Sequence, residues 1–381
     1  MKNAILVCVA ALAFSVSVHS QEQKRGPFTD PEDGQLDASE WLLERKGFLP
    51  VPIVITEPAV GYGAGAALLF FRESMGERAA KAKETGRFSP PNIYGVALAA
   101  TENGSKFAGV GGMVTFLNDQ WRYRGGVGLP DANLDFYGEG GTAAADDLKL
   151  GYNLDGVGST QQMLRRLGDG DNFIGLRWIY LDLEARFESN RPLPAFLPQS
   201  QTVRSSGIGP VFEHDSRDNI FTPSRGWYAN LEALFFSPDI GSDEKFEIYR
   251  GRVYGYFPLS SAFVLGGRLD ARTSKGDVPF YQLPYVDLRG IPVARYQDES
   301  AGAAEVELRW NVTPRWALVG FLGAGRAWGS STSFSDADSV TSGGVGFRYL
   351  VARRLGIYMG LDVAVGPEDT AFYIQMGSAW R

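Results

Sequence analysis

The chain has 381 residues, a formal charge of −7, 13% aromatic residues, 47 glycines, one cysteine and two histidines. No basic patch stands out against that negative balance, which argues against a nucleic-acid partner, and a single cysteine rules out a disulfide framework. Beyond residue 20 no run approaches the roughly 20 apolar residues of a membrane-spanning helix, so the composition leaves two classes, a transmembrane β-barrel and a large soluble β-protein.

The first twenty residues read as a secretory signal. Met1-Lys2-Asn3 opens it, Ala4 to Val18 is almost without polarity, and Val18 and Ser20 suit the minus-three and minus-one positions of a cleavage site. The apolar run is too short to span a bilayer comfortably. Cys8 lies inside it, preceded by Val7 where a lipidation motif wants a small residue. Cleavage would remove Lys2 and give −7 − 1 = −8. Residues 21–48 are polar and carry Pro27, Pro31 and Gly34. They predict a mostly loose periplasmic lead with one short helix over 39–46, capped by Ser39 and ended by Gly47, folded under or into whatever follows.

Residues 49–381 predict one β-barrel domain. Sixteen strand-like segments run at 50–57, 60–71, 92–102, 105–117, 120–138, 147–167, 172–188, 202–215, 226–238, 245–258, 261–273, 302–312, 315–328, 340–351, 354–365 and 370–381. Several alternate with period two, which puts one face in an apolar medium and one in a polar one. Ala304, Val306, Leu308, Trp310 and Val312 oppose Glu305, Glu307, Arg309 and Asn311. Phe372, Ile374, Met376 and Trp380 oppose Tyr373, Gln375 and Gly377. In a soluble sandwich the charged face would be solvent; in an outer-membrane barrel it lines the lumen. Loop lengths decide between them. Asn118–Asp119, Gly168–Asp171, Leu259–Ser260, Thr313–Pro314 and Ala352–Arg353 are short and fall at every second junction. Between them fall the longer Glu139–Asp146, Ser189–Gln201, Ser274–Ala301 and Gly329–Ser339, with Arg72–Pro91 the one exception. Short turns at one rim and long loops at the other are the rhythm of a membrane barrel, so the fold class is an all-β, transmembrane antiparallel β-barrel of sixteen strands. The 274–301 loop is then extracellular.

Little in the chain suggests catalysis. Gly61-Tyr-Gly-Ala-Gly65 is followed by a strand and not the helix that a dinucleotide site needs. His19 would leave with the signal, so the mature chain keeps His214, followed by Asp215 and Ser216. Neighbours on a strand face opposite sides and do not converge on one point, and no Gly-x-Ser-x-Gly elbow occurs. One histidine and no cysteine argue against zinc. No catalytic residue, metal or cofactor is expected.

The segment Asp215-Ser-Arg217-Asp218-Asn-Ile-Phe221-Thr-Pro223-Ser-Arg-Gly226 reads locally as a turn between two strands. Some sixty residues on comes Leu288-Arg289-Gly290-Ile291, and the chain ends in Phe372-Tyr373 through Trp380. Together these resemble the bacterial surface antigen barrel, the outer-membrane insertase superfamily of BamA, TamA and two-partner secretion transporters, over about residues 48–381. The resemblance implies that the Arg-Gly loop folds into the lumen and that Arg289, with Gly290 beside it, pairs with Glu307 on the wall. It also implies that Asp215, Arg217, Asp218, Pro223 and Gly226 form a periplasmic turn motif, and that Phe372, Tyr373 and Trp380 form a C-terminal signal read by the barrel assembly machinery. A second family acid is expected in Phe-x-Asp-x-Gly, but here the chain reads Phe321-Leu-Gly323-Ala-Gly325, with Glu305 or Asp362 as the substitute. The 28 residues of 21–48 leave no room for the POTRA domains that relatives carry.

The function so implied is assistance to protein or lipid insertion or translocation at the bacterial outer membrane, without enzymology. Outer-membrane lipid and lipopolysaccharide would surround it, and an unfolded outer-membrane protein or a lipid would be its substrate. A passive porin with the loop as constriction is the alternative, and an outer-membrane phospholipase using His214 is the third.

Overall fold

Alternating sequence becomes sixteen antiparallel strands in the computed structural model, which describes residues 28–74, 90–138, 149–188, 200–330 and 332–380 together with Gly26, Gly76 and Glu77. The expected signal sequence 1–20 lies outside the described residues, as do most of the 72–91 connector and the 139–146 and 189–201 loops. The strands β1 to β5 are Gly47–Glu57, Gly61–Phe71, Ile93–Thr101, Lys106–Phe116 and Trp121–Phe136. The next five, β6 to β10, are Leu150–Arg166, Asn172–Glu188, Ser200–Asp215, Gly226–Phe236 and Phe246–Pro258. The last six, β11 to β16, are Phe263–Gly276, Ser300–Asn311, Trp316–Trp328, Val340–Ala352, Ile357–Val365 and Thr370–Met376. Each pairs with the next in sequence order. β1 and β16 come side by side, but among the described residues no ladder joins them, so the barrel carries one unzipped seam.

The outer wall is apolar because alternate side chains have nothing of the protein to pack on. Leu269, Val306, Leu322 and Val345, on successive strands β11 to β14, are each more than half exposed. Near the short-turn rim outward aromatic pairs form a girdle: Phe48–Phe70, Phe116–Trp121, Trp227–Phe257, Phe263–Trp310 and Trp316–Tyr349. An apolar band bordered by aromatics is the surface that a bilayer requires. Among the described residues no helix is long and apolar enough to cross a membrane.

Three expectations need correction. The inner face is polar along β8 to β16 but not along the first strands. Val51 on β1, Ala67 on β2, Ala97 on β3 and Gly109 on β4 follow one another by register on the lumen side, with Leu49, Leu69, Gly95 and Gly111 in the next row. Both faces of this wall are therefore apolar, which a strict polar-in rule does not allow. The last strand also stops early. Gly377 adopts φ 81°, the chain leaves the sheet, and Trp380 turns into the lumen, packed with Tyr228, Tyr254 and Tyr256. It is not on the outer face with Phe372.

The third correction concerns the lead. The helix α1 is Ser39–Glu44, shorter than expected, and Ser39 does not cap it. Instead the Asp37 carboxylate accepts the Ser39 N–H, while the Ser39 hydroxyl accepts the Arg354 N–H at 2.9 Å. The segment is not loose, because buried charge holds it. Arg315, 1% exposed, lies in the β12–β13 turn and binds Asp30, Asp33 (Nε to Oδ2, 2.6 Å) and Asp37 (Nη1 to Oδ2, 2.6 Å). Arg353 adds Asp30 and Glu32, and the Ala38 N–H donates to the Val351 carbonyl at 2.7 Å. The lead thus clamps the short-turn rim under β13 to β15.

These contacts are pH-dependent with a defined sign. The Arg315 hydrogen bond holds the Asp33 carboxyl below its usual value, and that of Arg353 does the same for Glu32. For Asp37, burial pushes upward but is outweighed by hydrogen bonds from Ser39 and Arg315. Groups with depressed folded values stabilise docking fully above the unfolded carboxylate range, about pH 4, and lose that contribution as pH falls through the folded values. Limited proteolysis should therefore spare residues 28–45 at neutral pH and cut them as pH drops below about 4. Arg315→Ala should expose them at neutral pH. Protection that is the same at both pH values, or in the variant, would show that the clamp does not hold the lead.

Candidate functional site: the latched lumen

The connector between β11 and β12 does not leave the barrel. Tyr285 and Gln297 form an isolated antiparallel bridge, and the Val286 N–H donates to the Tyr296 carbonyl at 2.9 Å. This narrow finger carries Val286, Leu288, Ile291 and Tyr296, which bury themselves against Ala301, Ala327 and Val340 of the inner wall. The wall has to be small where they land. A Cβ on Gly323 would stand 2.7 Å from Leu288 Cδ2, and one on Gly325 would stand 2.4 Å from Val286 Cγ1. Gly323 is the position where the family pattern places its acid, so Leu288 occupies the space that a carboxylate would fill.

The acid comes from elsewhere. Arg289, 8% exposed, donates through Nε to Glu305 Oε1 at 3.1 Å and through Nη1 to Asp362 Oδ2 at 2.8 Å. Nη1 also lies 2.8 Å from Glu307 Oε2. The guanidinium plane stacks over Phe321, 3.5 Å from the ring centre. Burial alone would lower the Arg289 pKa, yet Glu307, Glu305 and Asp362 outweigh it and raise it, so the charge is permanent. Arg348 shares Asp362, at 2.9 Å from Oδ2, and Trp380 Nε1 donates to Glu305 Oε1 at 2.7 Å. Gly290 sits at φ 86°, which favours glycine, and its N–H donates to the Tyr373 hydroxyl at 2.9 Å.

The finger is anchored on both sides of the seam. On the β1 side, the Val293 N–H donates to Glu57 at 3.2 Å. On the other, Arg295 pairs with Glu368 at 2.7 Å and the Tyr296 hydroxyl donates to the same carboxylate. Asp287 holds its flank to Arg272 and Arg268 at 2.7 and 2.9 Å.

A second inward segment closes the opposite end. In the β8–β9 turn, Arg217 pairs with Asp215 at 2.7 Å and stacks on Tyr228. Asp218 accepts the Ser224 N–H at 2.9 Å, and Gly226 at φ 104° lets the chain pass close to Ser216. The turn then reaches across the barrel. Arg309 on β12 donates to the Pro223 carbonyl at 3.2 Å, Asn219 donates to the Leu355 carbonyl at 2.9 Å, and the Ser378 N–H donates to the Phe221 carbonyl.

The structure thus brings Arg289, Gly290 and Glu307 to one point, together with Glu305 and Asp362. It places the turn residues at the other rim, Tyr373 on the inner wall, and Phe372 outward and exposed. Arg348 was not singled out from the sequence, and Trp380 was named there as part of a C-terminal signal on the outward face, not as a lumen side chain. Alternation opposite Phe347 would have put Arg348 in the lumen, whereas nothing local foretells the reversal at Gly377. His214 is not isolated from Ser216, as expected for neighbours. The two are separated by two positions and share a face, with Nε2 3.0 Å from Ser216 Oγ. Behind the ring stands an amide, Asn172 Oδ1, at 2.9 Å from Nδ1, and Ser216 also bonds Trp227 across the turn. Asp215 faces away to Arg217. Among the described residues no group of acids, histidines or cysteines is arranged to hold a metal.

Comparison with known proteins agrees with this geometry. Residues 115–380, well over half of the chain, match the Omp85 superfamily domain. A search of curated proteins by sequence finds no match. Among solved structures, BamA from Haemophilus ducreyi lacking POTRA domains 1–3 is similar with a TM-score of 0.58 at 13% identity, covering 88% of this chain and 70% of that one. CdiB from Acinetobacter baumannii is similar at 0.54 and 9% identity, covering 86% of this chain and 59% of that one. CdiB from Escherichia coli is similar at 0.56 and 11% identity, over 85% and 61%. The chain thus spans less than two thirds of either CdiB chain, and at these identities the likeness is one of fold.

Removing Arg289 leaves Glu305 and Glu307 without their cation in a crowded lumen and Asp362 with Arg348 alone. Breaking a buried ion pair from one side costs about 3–5 kcal/mol. Arg289→Ala should lower the urea midpoint of the lipid-refolded barrel accordingly, and Arg289→Lys should recover little, lacking the planar fork. Arg289→Ala combined with Glu305→Gln should cost less than the sum. Strict additivity would show that the two side chains do not act together.

Proposed function

The chain belongs to the Omp85 superfamily, and on that premise we propose that it helps insert or translocate protein or lipid at the outer membrane, with the Arg289 finger as a latch behind the β1–β16 seam. One observation carries the reading. The only consecutive wall elements without a ladder among the described residues, β1 and β16, are bridged from inside by a finger bound to Glu57 on one side and to Tyr373 and Glu368 on the other. A latch placed there couples the loop to the seam: release of Arg289 removes the bridge and frees the seam to part toward lipid.

Export by the 1–20 signal, surroundings of phospholipid and lipopolysaccharide, and assembly through a machinery that reads Phe372 and Tyr373 belong to the same proposal. Trp380, turned inward, is better suited to hold Glu305 than to be read from outside. The finger and the β8–β9 turn also favour a closed lumen over a porin.

Single-channel conductance of the refolded protein in a planar bilayer separates the readings. The latch predicts a mostly closed wild type and noisy openings in Arg289→Ala. Steady large openings in wild type would replace it with a porin. Phospholipid hydrolysis lost on His214→Ala would replace it with a lipase.

A further inference from the structure

The half of the lumen that the finger leaves uncovered is chemically unlike the rest. Against the inner wall of β2 to β7 lies a cavity of about 680 Å³, within the roughly 300–1,000 Å³ of small-molecule sites. Its lining is apolar, with Leu69, Ala97, Phe107, Met113, Ile179 and Leu181 standing over a floor of glycines. The space comes from those glycines. Gly109 and Gly128 leave the room in which the Phe107 ring lies, since a Cβ on either would stand within 2.8 Å of it.

We propose that this cavity binds the aliphatic chain of a membrane-derived fatty-acyl amphiphile. The wall decides the class of occupant. A peptide segment would bring backbone N–H and C=O groups, and a wall of this composition could not satisfy them, at a cost of several kcal/mol for each group left unpaired. A saturated chain brings none. The route is continuous: Leu49 and Val51 on β1 pair with Leu69 and Ala67 on β2, so the apolar inner surface runs from the unzipped seam directly into the cavity. A chain entering there from the bilayer core crosses no charged side chain of β1 or β2 before it is housed.

The amphiphile's polar end has a direction as well. One row from Thr160 and Ile179 toward the short-turn rim, the same face carries Gln162 and Arg177. Gln162 is 3% exposed, and its Nε2 and the Arg177 Nε are buried N–H donors without a partner. A carboxylate or ester carbonyl is the acceptor that those donors lack. This places the head beside Gln162 and the tail toward Ala97 and Phe107.

This inference deepens the lipid side of the proposed function, but its test does not depend on the latch. Protein refolded into amphipol is titrated with the fluorescent fatty acid cis-parinarate. Saturable binding displaced by palmitate is expected. Ala97→Phe and Ala67→Phe, on directly paired positions, should each weaken it at least about tenfold by filling the space, while folded mobility on unheated gels stays unchanged. Gln162→Leu should weaken parinarate more than its methyl ester. No saturable binding in wild type, or full affinity in both phenylalanine variants, would overturn the site while leaving the latch standing. Displacement by an apolar strand peptide but not by palmitate would overturn the choice of occupant.

Discussion

A guanidinium buried inside a barrel has to be neutralised where it stands. Arg289 meets that constraint with carboxylates from two strands, Glu305 and Glu307 on β12 and Asp362 on β15, and with the face of Phe321. A planar fork serves several acids at once, which an ammonium does not. The surrounding structure follows from this contact. Leu288 and Val286 settle where Gly323 and Gly325 give way, Arg348 and Trp380 hold the acids, and Gly290 brings the backbone up to Tyr373. Each is a contact of the finger or its acids with β13, β14, β16 or the tail beyond β16, so the barrel's inner surface is organised around one side chain.

The lumen divides in two as a result. From β8 to β16 it is filled with ion pairs, the finger and the inward β8–β9 turn. Along β1 to β4 and the middle of β5 to β7 it is lined by small and apolar groups, while Arg122, Arg124, Arg166 and Arg177 carry ion pairs at the short-turn end of β5 to β7. The division falls near the seam, where the ladder is missing and where the finger takes hold of both edges. A wall apolar on both faces gains little from keeping its inner surface against water, whereas the charged half is held by contacts that water would weaken. Mobility is therefore expected on the β1 side and rigidity on the β12–β15 side, the arrangement that a barrel opening at one seam requires.

Two local patterns misled in instructive ways. Trp380 continues the outward parity of Phe372, Ile374 and Met376 in sequence, but Gly377 at positive φ breaks the period and an acid in the lumen takes the indole N–H. His214 and Ser216 read as strand neighbours of Asp215, yet two-residue spacing puts them on one face, where they tie a turn together with Trp227. For Trp380 the missing information was a partner 75 residues away; for His214 and Ser216 it was their own spacing of two.

What the sequence determined by itself was everything with a short period. All sixteen strands, their antiparallel order, the outward apolar band and the alternation of short and long connectors could be read from residues two apart and from turn chemistry, because pleat and register are local. The inward parity of Glu305, Glu307 and Asp362 was legible in the same way, whereas Arg289 was picked out only by the family resemblance of its Arg-Gly loop. The tertiary structure alone decided which acids the arginine meets, since Glu305 and Asp362 are separated from it by 16 and 73 residues and their convergence depends on closure of the sheet. It also decided that the acidic lead folds onto Arg315, 278 residues or more away, and that the glycines of β2 to β6 open a cavity. Closure brings inner faces together across the lumen, and no periodicity along the chain encodes a distance measured across it.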